Sequence, residues 1–218
     1  MSHNDVSLIK NFSTACLSDA MDRLGIGGQV PGIYPLDRTF QLCGSAYTLQ
    51  YEPIPPGESG SVGDFIDDIP AGDVAVLANA GRLDATIWGD LMTRTASRER
   101  LGGTVIDGVC RDTACAIELS YPIFSSGHWM RTGKDRVRLT GILVPVEIVG
   151  IPVSPGDVLR GDADGLVVIP QARVAEVAEI AEAIEAAEVR IRQLLERGSS
   201  LVDARVHTDY HTLQTRQS

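Results

Sequence analysis

The 218-residue chain lacks any apolar run long enough to cross a bilayer. Its longest, VAVLANA at 74–80 and GLVVIP at 165–170, are the size of a strand, far below the roughly 18 to 20 residues of a spanning helix. The first residues, MSHNDVSLIKNF, lack the basic-then-apolar layout of a secretory leader, so a soluble, cytoplasmic protein with no membrane partner is expected. Basic charge is also scarce: 19 Lys and Arg against 29 Asp and Glu leave a formal net charge of −10. The cations are scattered or stand next to acids, which argues against a nucleic-acid footprint. The four cysteines, Cys16, Cys43, Cys110 and Cys115, form no Cys-X-X-Cys pair and are expected as free, buried thiols rather than a zinc site. No linker, repeat or low-complexity tract interrupts a chain with 44% hydrophobic residues. One domain over residues 1–200 is expected, followed by a polar tail at 201–218 in which His207 and His211 are not expected as ligands.

What is present alternates between two periods. NFSTACLSDAMDRL at 11–24 puts Ala15, Leu17, Ala20, Met21 and Leu24 at helical spacing, and Gly25, Gly27 and Gly28 end that helix. Strand-like runs follow at 43–51, 73–79, 103–108, 121–127, 136–150, 157–162 and 165–170, with helices read at 88–101 and 111–120. From 73 to 125 the pattern is strand, helix, strand, helix, strand, a βαβαβ unit that requires a parallel sheet covered by helices. The later strands are joined by Gly, Pro and Asp turns and read as antiparallel or mixed. YEPIPPGESGSVGDF at 51–65 is too polar and broken for an element, and reads as a surface loop or as a lid over a site. A long last helix, Gln171 to Arg197, carries a stripe of Val177, Ile180, Ile184, Ile191 and Leu195. Glu188 falls inside that stripe, four residues after Ile184 and three before Ile191. Either it snorkels to water at the stripe's edge, or it is a carboxylate delivered to a site or a subunit interface.

WGDLMTRTASRERLGGTVIDGVCRD, at 88–112, carries the candidate chemistry. Asp90 opens the first helix of the βαβαβ unit and Arg111-Asp112 opens the second, so both lie outside the carboxyl ends of neighbouring parallel strands, where open α/β sheets bind ligands. The first-turn amides of Leu91 and Met92 can receive a carboxylate or a developing enolate. Arg111 offers a forked pair of donors, and Asp112 is a hard oxygen ligand suited to hydrated Mg²⁺ or Mn²⁺. The spacing alone also admits a plainer reading, with Asp90 complementing a helix dipole and Arg111-Asp112 a surface ion pair worth less than about 1 kcal/mol.

With SDAMDRLG and GSAYTLQY before that stretch, IPAGDVAVL leading into it and VPVEIVGIPVSPGDVLRGDADGLVVIP after it, the chain resembles the RraA-like family over about residues 10–200. That family includes the class II 4-hydroxy-4-methyl-2-oxoglutarate/4-carboxy-4-hydroxy-2-oxoadipate aldolases. Its aldolase branch carries an Asp-X20-Arg-Asp motif that its regulators of ribonuclease E lack, and 20 residues separate Asp90 from Arg111 here. The resemblance implies that Asp112 holds the metal and that Arg111 binds the pyruvyl oxygen. It implies further that the 89–92 turn of Gly89, Leu91 and Met92 grips the pyruvyl carboxylate while Asp90 positions a water for proton transfer. It also implies a three-layer α/β sandwich of the swivelling phosphohistidine-domain type, assembled as a trimer or hexamer, with Glu188 reaching the metal waters of a neighbouring subunit. Two stretches depart from the family's usual text, 51–65 and SSGHWMRTGKD at 125–135, where His128 and Trp129 replace small or tyrosine-like residues. The function expected is a metal-dependent lyase that releases pyruvate from a 4-hydroxy-2-oxo acid and also decarboxylates oxaloacetate. The alternative is a non-catalytic regulator of ribonuclease E, favoured by the acidic surface. A methyltransferase is not expected, because no glycine-rich nucleotide loop follows a strand.

Overall fold

The computed structural model describes residues 3–208. Two helices, α1 (His3–Ile9) and α2 (Thr14–Arg23), precede two short strands, β1 (Gln29–Val30) and β2 (Tyr34–Pro35). Then come β3 (Leu42–Pro53), β4 (Val74–Arg82), α3 (Asp90–Arg98), β5 (Gly103–Cys110), α4 (Thr113–Glu118) and β6 (Ile123–His128). Five further strands, β7 (Val137–Ile142), β8 (Val146–Ile148), β9 (Ile151–Val153), β10 (Val158–Asp162) and β11 (Gly165–Ile169), lead to α5 (Val174–Glu196) and α6 (Leu201–His207). The βαβαβ unit is present, and β3 adds a fourth parallel strand to β4, β5 and β6.

The strand order is β1-β11-β10-β3-β4-β5-β6-β2, with β7 paired to the far half of β3 and β8–β9 as a separate hairpin. β1 and β2 stand at opposite ends of that order, yet only residues 31–33 lie between them. A chain covers at most ~3.6 Å per residue, so this link holds the two ends of the sheet within about 14 Å of each other. The sheet therefore rolls toward a barrel, and its two faces meet different partners.

Strand alternation sorts the side chains. Val74, Val76, Val105, Phe124, Leu159 and Val168 point inward, where Val146, Ile148 and Val153 of the β8–β9 hairpin pack on them. Ala75, Leu77, Ile106 and Ile123 point outward beneath Ala96 of α3 and Ala116 of α4. Val158, Val167 and Ile169 pack outward on Leu17 and Met21 of α2 and on Val177 and Ile184 of α5. β4 keeps its first six residues buried and β5 all eight, as expected of parallel strands covered on both faces. The α/β class and the long C-terminal helix match the sequence reading, and the inner face of the sheet is covered by β structure instead of helices.

Other details differ. The stretch at 136–150 is broken at Pro145, which cannot donate to a ladder, into β7 and β8 with Leu143 at φ 54°. Residues 52 and 53, read as loop beyond the strand at 43–51, extend β3 and pair with β7. The buried face of α5 runs through Val174, Val177, Ala178, Ala181, Ile184, Ala187 and Ile191. Ile180 is only half-buried and Leu195 is exposed, because alanines rather than the largest side chains make the close approach to α2. Residues 201–207, assigned to the polar tail, form α6, capped by Ser200 and seated through buried Ala204. His207 turns Nδ1 to the carbonyl of Asp203 at 2.7 Å, and His211 lies outside the described residues. All four cysteines are free, and Cys43 is only half-buried. Among the described residues no helix is long and apolar enough to cross a membrane.

Asp162, the last residue of β10, ties α2 to the sheet. Thr14 donates its amide to Oδ2 at 2.8 Å and its hydroxyl to Oδ1 at 2.6 Å, and the Asp164 amide donates to Oδ1 at 3.0 Å. Burial by itself would raise the carboxyl's pKa, but these bonds and the nearby Arg160 charge outweigh it and hold the group below the ordinary range. A carboxyl depressed on folding stabilises the native state above its unfolded pKa, and that contribution is lost as pH falls through the folded value. Asp162→Asn should therefore cost about 1–3 kcal/mol at neutral pH, by leaving a donor unmatched. It should also flatten the decline of thermal stability below about pH 4. Thermal melts across that range check this, and parallel curves for the two proteins would disprove it.

Candidate active site

The candidate site is built from the loops that leave the carboxyl ends of β4, β5 and β6. Its floor is Trp88, which is buried and stacks on Tyr121 with ring centroids 6.4 Å apart and planes 5° from parallel. Trp88 Nε1 donates to Thr93 Oγ1 at 3.0 Å, and that hydroxyl donates to the Gly89 carbonyl at 3.0 Å. Tyr121 is tied by its hydroxyl to Thr104 Oγ1 at 2.8 Å, and burial pushes its pKa up. The first turn of α3 thus rests on a fixed indole.

Gly89 is the N-cap of α3 and has no side chain to cap with, so the amides of Leu91 and Met92 face outward from the helix start. Two hydrogen bonds join this turn to the end of β5. The Arg111 amide donates to the Trp88 carbonyl at 3.1 Å, and the Asp90 amide donates to Asp112 Oδ2 at 3.1 Å. Arg111 Nε lies 3.4 Å from the same oxygen. Asp90, Arg111 and Asp112 are therefore brought to one place, with Gly89 between them.

The need for glycine at 89 is spatial. Its φ of −149° and ψ of −166° suit any residue, but an added Cβ would lie 2.8 Å from Asp112 Oδ2 and 3.1 Å from Arg111 Nε. Asp112 itself is left-handed, at φ 55° and ψ 38°, and makes no side-chain cap on α4. Its carboxylate reaches back to α3. A non-glycine residue in that region costs roughly 1–2 kcal/mol, although Asp tolerates it better than most. The ion pair it forms is 40% exposed at Arg111 and 41% at Asp112. Such a pair returns less than about 1 kcal/mol. The bond that the carboxylate accepts from the Asp90 amide offsets much of the remaining cost, so the left-handed turn at Asp112 serves to tie the two loops together.

Two cavities meet at Arg111. One, of about 180 Å³, lies over Trp88, Asp90, Leu91 and Met92. Val62 closes one side of it, held by a hydrogen bond from the Tyr51 hydroxyl to the Val62 carbonyl at 2.9 Å. Part of the 51–65 stretch accordingly borders the site. The other cavity, of about 390 Å³, is lined by Asp112, Thr113, His128, Trp129 and Met130. His128 is placed by register with Cys110, and the Trp129 amide donates to the Cys110 carbonyl at 2.8 Å. Sequence reasoning had no signal for the Trp88–Tyr121 floor, nor for Thr86 and Thr132, which bridge two loops at the first cavity.

Glu188 is not brought to this site within one chain. It is half-buried on α5, pairs with Arg192 at 3.2 Å and borders a separate cleft with Leu201 and Arg205. Among the described residues no group of three or more His, Cys, Asp or Glu is arranged to hold a metal. The oxygen available at the site is instead one half-exposed carboxylate, Asp112, tied to the Asp90 amide. It suits an ion that keeps most of its water, as Mg²⁺ does. Asp107, another acid of the stretch, points to the inner face of the sheet beside Val105, and burial raises its pKa.

The sequence model of the RraA-like family, described as Aldolase/RraA, matches residues 14–168. Protein DlpA of Legionella pneumophila is 38% identical over 199 residues, covering 89% of this chain but 32% of DlpA, so the chain spans about a third of that relative. A Halalkalibacterium halodurans protein provisionally named as a 4-hydroxy-4-methyl-2-oxoglutarate aldolase is 33% identical over 176 residues, 79% of this chain and 81% of the relative. Among solved structures, an uncharacterized protein of Pseudomonas syringae pv. tomato superposes with a TM-score of 0.87 at 41% identity, covering 94% of this chain and 98% of that one. Streptomyces coelicolor RraAS2, described as an unusual member of the RNase ES inhibitor RraA family, superposes with a TM-score of 0.78 at 25% identity, covering 91% and 98%.

The left-handed backbone at Asp112 predicts an ordering of stabilities that side-chain contacts alone would not. Asp112→Gly and Asp112→Ala both remove the carboxylate and its bond to the Asp90 amide, but only glycine relieves the φ of 55°. Denaturant unfolding should find the glycine variant more stable than the alanine variant by about 1 kcal/mol. Equal stabilities would show that the position stores no strain.

Proposed function

Because the chain belongs to the RraA-like family, we propose that it is a pyruvate-releasing lyase acting on a 4-hydroxy-2-oxo acid and also decarboxylating oxaloacetate. The observation that carries this reading is the joining of Asp90, Arg111 and Asp112 around the Gly89 gap, with Asp112 left-handed and the Arg111 and Asp112 side chains 40% and 41% exposed. The provisional aldolase name of the Halalkalibacterium halodurans relative supports the same class of reaction.

In this reading the amides of Leu91 and Met92 hold the substrate's carboxylate, and Arg111 spans a carboxylate oxygen and the 2-oxo oxygen with its two-pronged guanidinium. Asp90 positions a water that takes the proton from the C4 hydroxyl. The C4 oxygen then becomes a carbonyl, the C3–C4 bond breaks, and its electron pair passes to C3, which is protonated to the methyl of pyruvate. Arg111 stabilises the charge that gathers on the 2-oxo oxygen before that protonation. Asp112 would hold Mg²⁺ or Mn²⁺ largely hydrated, and the ion when bound supplies Lewis acidity at that oxygen. Glu188 is assigned to the neighbouring subunit's site in a trimer or hexamer, and the fold to the swivelling phosphohistidine-domain type.

A second reading, a regulator of an RNA-processing ribonuclease, draws on the formal charge of −10 and on the likeness to RraAS2. Purified protein should release pyruvate from 4-hydroxy-4-methyl-2-oxoglutarate or oxaloacetate, lose that activity in excess chelator and regain it with Mg²⁺ or Mn²⁺. Arg111→Lys keeps the charge without the fork and should lose most turnover, and Gly89→Ala should lose about 10²-fold by displacing the Asp112 carboxylate while leaving the fold intact. Full turnover in excess chelator, or an unimpaired Arg111→Lys enzyme, would overturn the mechanism. Absence of pyruvate together with inhibition of a ribonuclease would favour the second reading.

The assignment of Glu188 has its own test. Glu188→Ala should leave the oligomer assembled but reduce turnover. Mixed oligomers of the impaired Glu188→Ala and Asp112→Asn chains should turn over faster than either variant alone, because some interfaces then pair an intact Asp112 with an intact Glu188. A fully active Glu188→Ala enzyme would make Glu188 a stripe-edge residue with no part in the site.

A further inference from the structure

We infer that Thr93 is a positioning residue of the candidate site, whose hydroxyl fixes the Gly89–Asp90 peptide and, through that peptide, the Asp112 carboxylate. The inference rests on the pyruvate-lyase reading and adds to it a residue buried in the helix layer, out of reach of any substrate.

The bonds run in one direction. Trp88 Nε1 donates to Thr93 Oγ1 at 3.0 Å, Oγ1 donates to the Gly89 carbonyl at 3.0 Å, and the Asp90 amide donates to Asp112 Oδ2 at 3.1 Å. The Gly89 carbonyl and the Asp90 N–H belong to one planar peptide, so a bond that sets the first also sets the second. The three bonds therefore form one series, each polarising the next, from a buried indole to a carboxylate that lines the open cleft.

A helical threonine often turns its hydroxyl to the carbonyl four residues back, and that alone assigns it no role. Thr95 does so in the same helix, with the Leu91 carbonyl at 3.0 Å. Two things set Thr93 apart. Its oxygen also accepts the indole N–H, which leaves the hydroxyl proton directed at Gly89. Thr93 and Trp88 are each 1% exposed, so solvent does not compete for either bond.

The need for such a hold comes from Gly89. It has no side chain with which to cap α3, and glycine has the widest backbone freedom of any residue, yet the space beside it must stay empty for Asp112 and Arg111. Thr93 restores from below the orientation that a glycine turn cannot keep by itself. At the site, Asp112 Oδ2 is committed to the Asp90 amide and lies 3.4 Å from Arg111 Nε, so Oδ1 is the oxygen left to face an ion. A rotated Gly89–Asp90 peptide would release Oδ2 and let the carboxylate and the neighbouring guanidinium shift together.

The test reads ion binding as well as turnover. Mn²⁺ is titrated alone into the full chain and followed by electron spin resonance, counting the binding that Asp112→Asn removes, and pyruvate release from oxaloacetate gives kcat/KM. Thr93→Val keeps the shape without the hydroxyl, and should weaken the Mn²⁺ Kd and lower kcat/KM by about tenfold each. Thr93→Ser should restore most of both, and Thr95→Val should leave both unchanged. A merely structural role would lower the melting temperature without moving a Kd measured well below it. Trp88→Phe keeps a ring against Tyr121 and removes the first bond of the series, so it repeats the test should Thr93→Val fail to fold. Wild-type Mn²⁺ affinity and turnover in Thr93→Val, or in Trp88→Phe where it stands in, overturn the inference, as does equal impairment by Thr95→Val or no recovery in Thr93→Ser. A wild-type chain that binds Mn²⁺ but releases no pyruvate from oxaloacetate or 4-hydroxy-4-methyl-2-oxoglutarate overturns the lyase reading, and the Mn²⁺ titrations then decide the place of Thr93 by themselves. A wild-type chain that does neither overturns both.

Discussion

Two hydrogen bonds that cross from the end of one strand to the end of the next hold the candidate site together. One runs from the Arg111 amide to the Trp88 carbonyl, the other from the Asp90 amide to Asp112 Oδ2. Because each has a backbone donor, the distance between the α3 amides and the Arg111 guanidinium is set by the sheet rather than by side-chain chance. The parallel register of β4 on β5, Val74 opposite Gly103 through Ala78 opposite Asp107, brings the two loops level. The same clamp explains two conformations that otherwise look unfavourable. Asp112 turns left-handed because its carboxylate must reach back over α3, and residue 89 has no side chain because that carboxylate and the Arg111 Nε occupy the space.

The layers beneath serve the clamp. Trp88 is pinned from below by Tyr121 and from the side by Thr93, so the turn carrying Gly89 and Asp90 cannot sink into the helix layer. On the opposite face, the curled sheet closes on the β8–β9 hairpin and gives β4 and β5 a core on both sides. Rigidity is thus greatest along the strands whose ends bear the chemistry, whereas β6 ends in the exposed His128, Trp129 and Met130. Binding residues on loops held by a stiff scaffold are the ordinary arrangement in α/β folds.

Legibility in the sequence followed the range of the interaction. The βαβαβ unit could be read because strands buried on both faces are continuous apolar runs, and the separation of Asp90 from Arg111 is one helix plus one strand. The closing of the sheet could not, since it depends on β1 and β2, each two residues long, pairing with β11 and β6 far along the chain. The face of α5 differs at Leu195 because hydrophobicity weighted by size favours leucine, whereas the small Ala178 and Ala181 share the buried cluster with α2. The residues Asp90, Arg111 and Asp112 could be picked out as types. The left-handed backbone at Asp112 and the crowding at Gly89 are properties of the assembled loops, with no local signature.

Exposure is the constraint the single chain leaves open. Arg111 and Asp112 are each about two-fifths exposed and Leu91 is 76% exposed, so the charges face a medium in which a pair at 4 Å interacts by only about 1 kcal/mol. Electrostatic stabilisation of a developing oxyanion needs those groups shielded from water. Val62 shields the cleft from one side, and the rim at Trp129 and Met130 is apolar but uncovered. In the proposed lyase, whatever covers that rim also strengthens the clamp, because the field of Arg111 on a developing oxyanion grows as water leaves. The neighbouring subunit to which the proposal assigns Glu188 is the body that would supply the cover, so sharing the site between subunits and strengthening its charges are one effect.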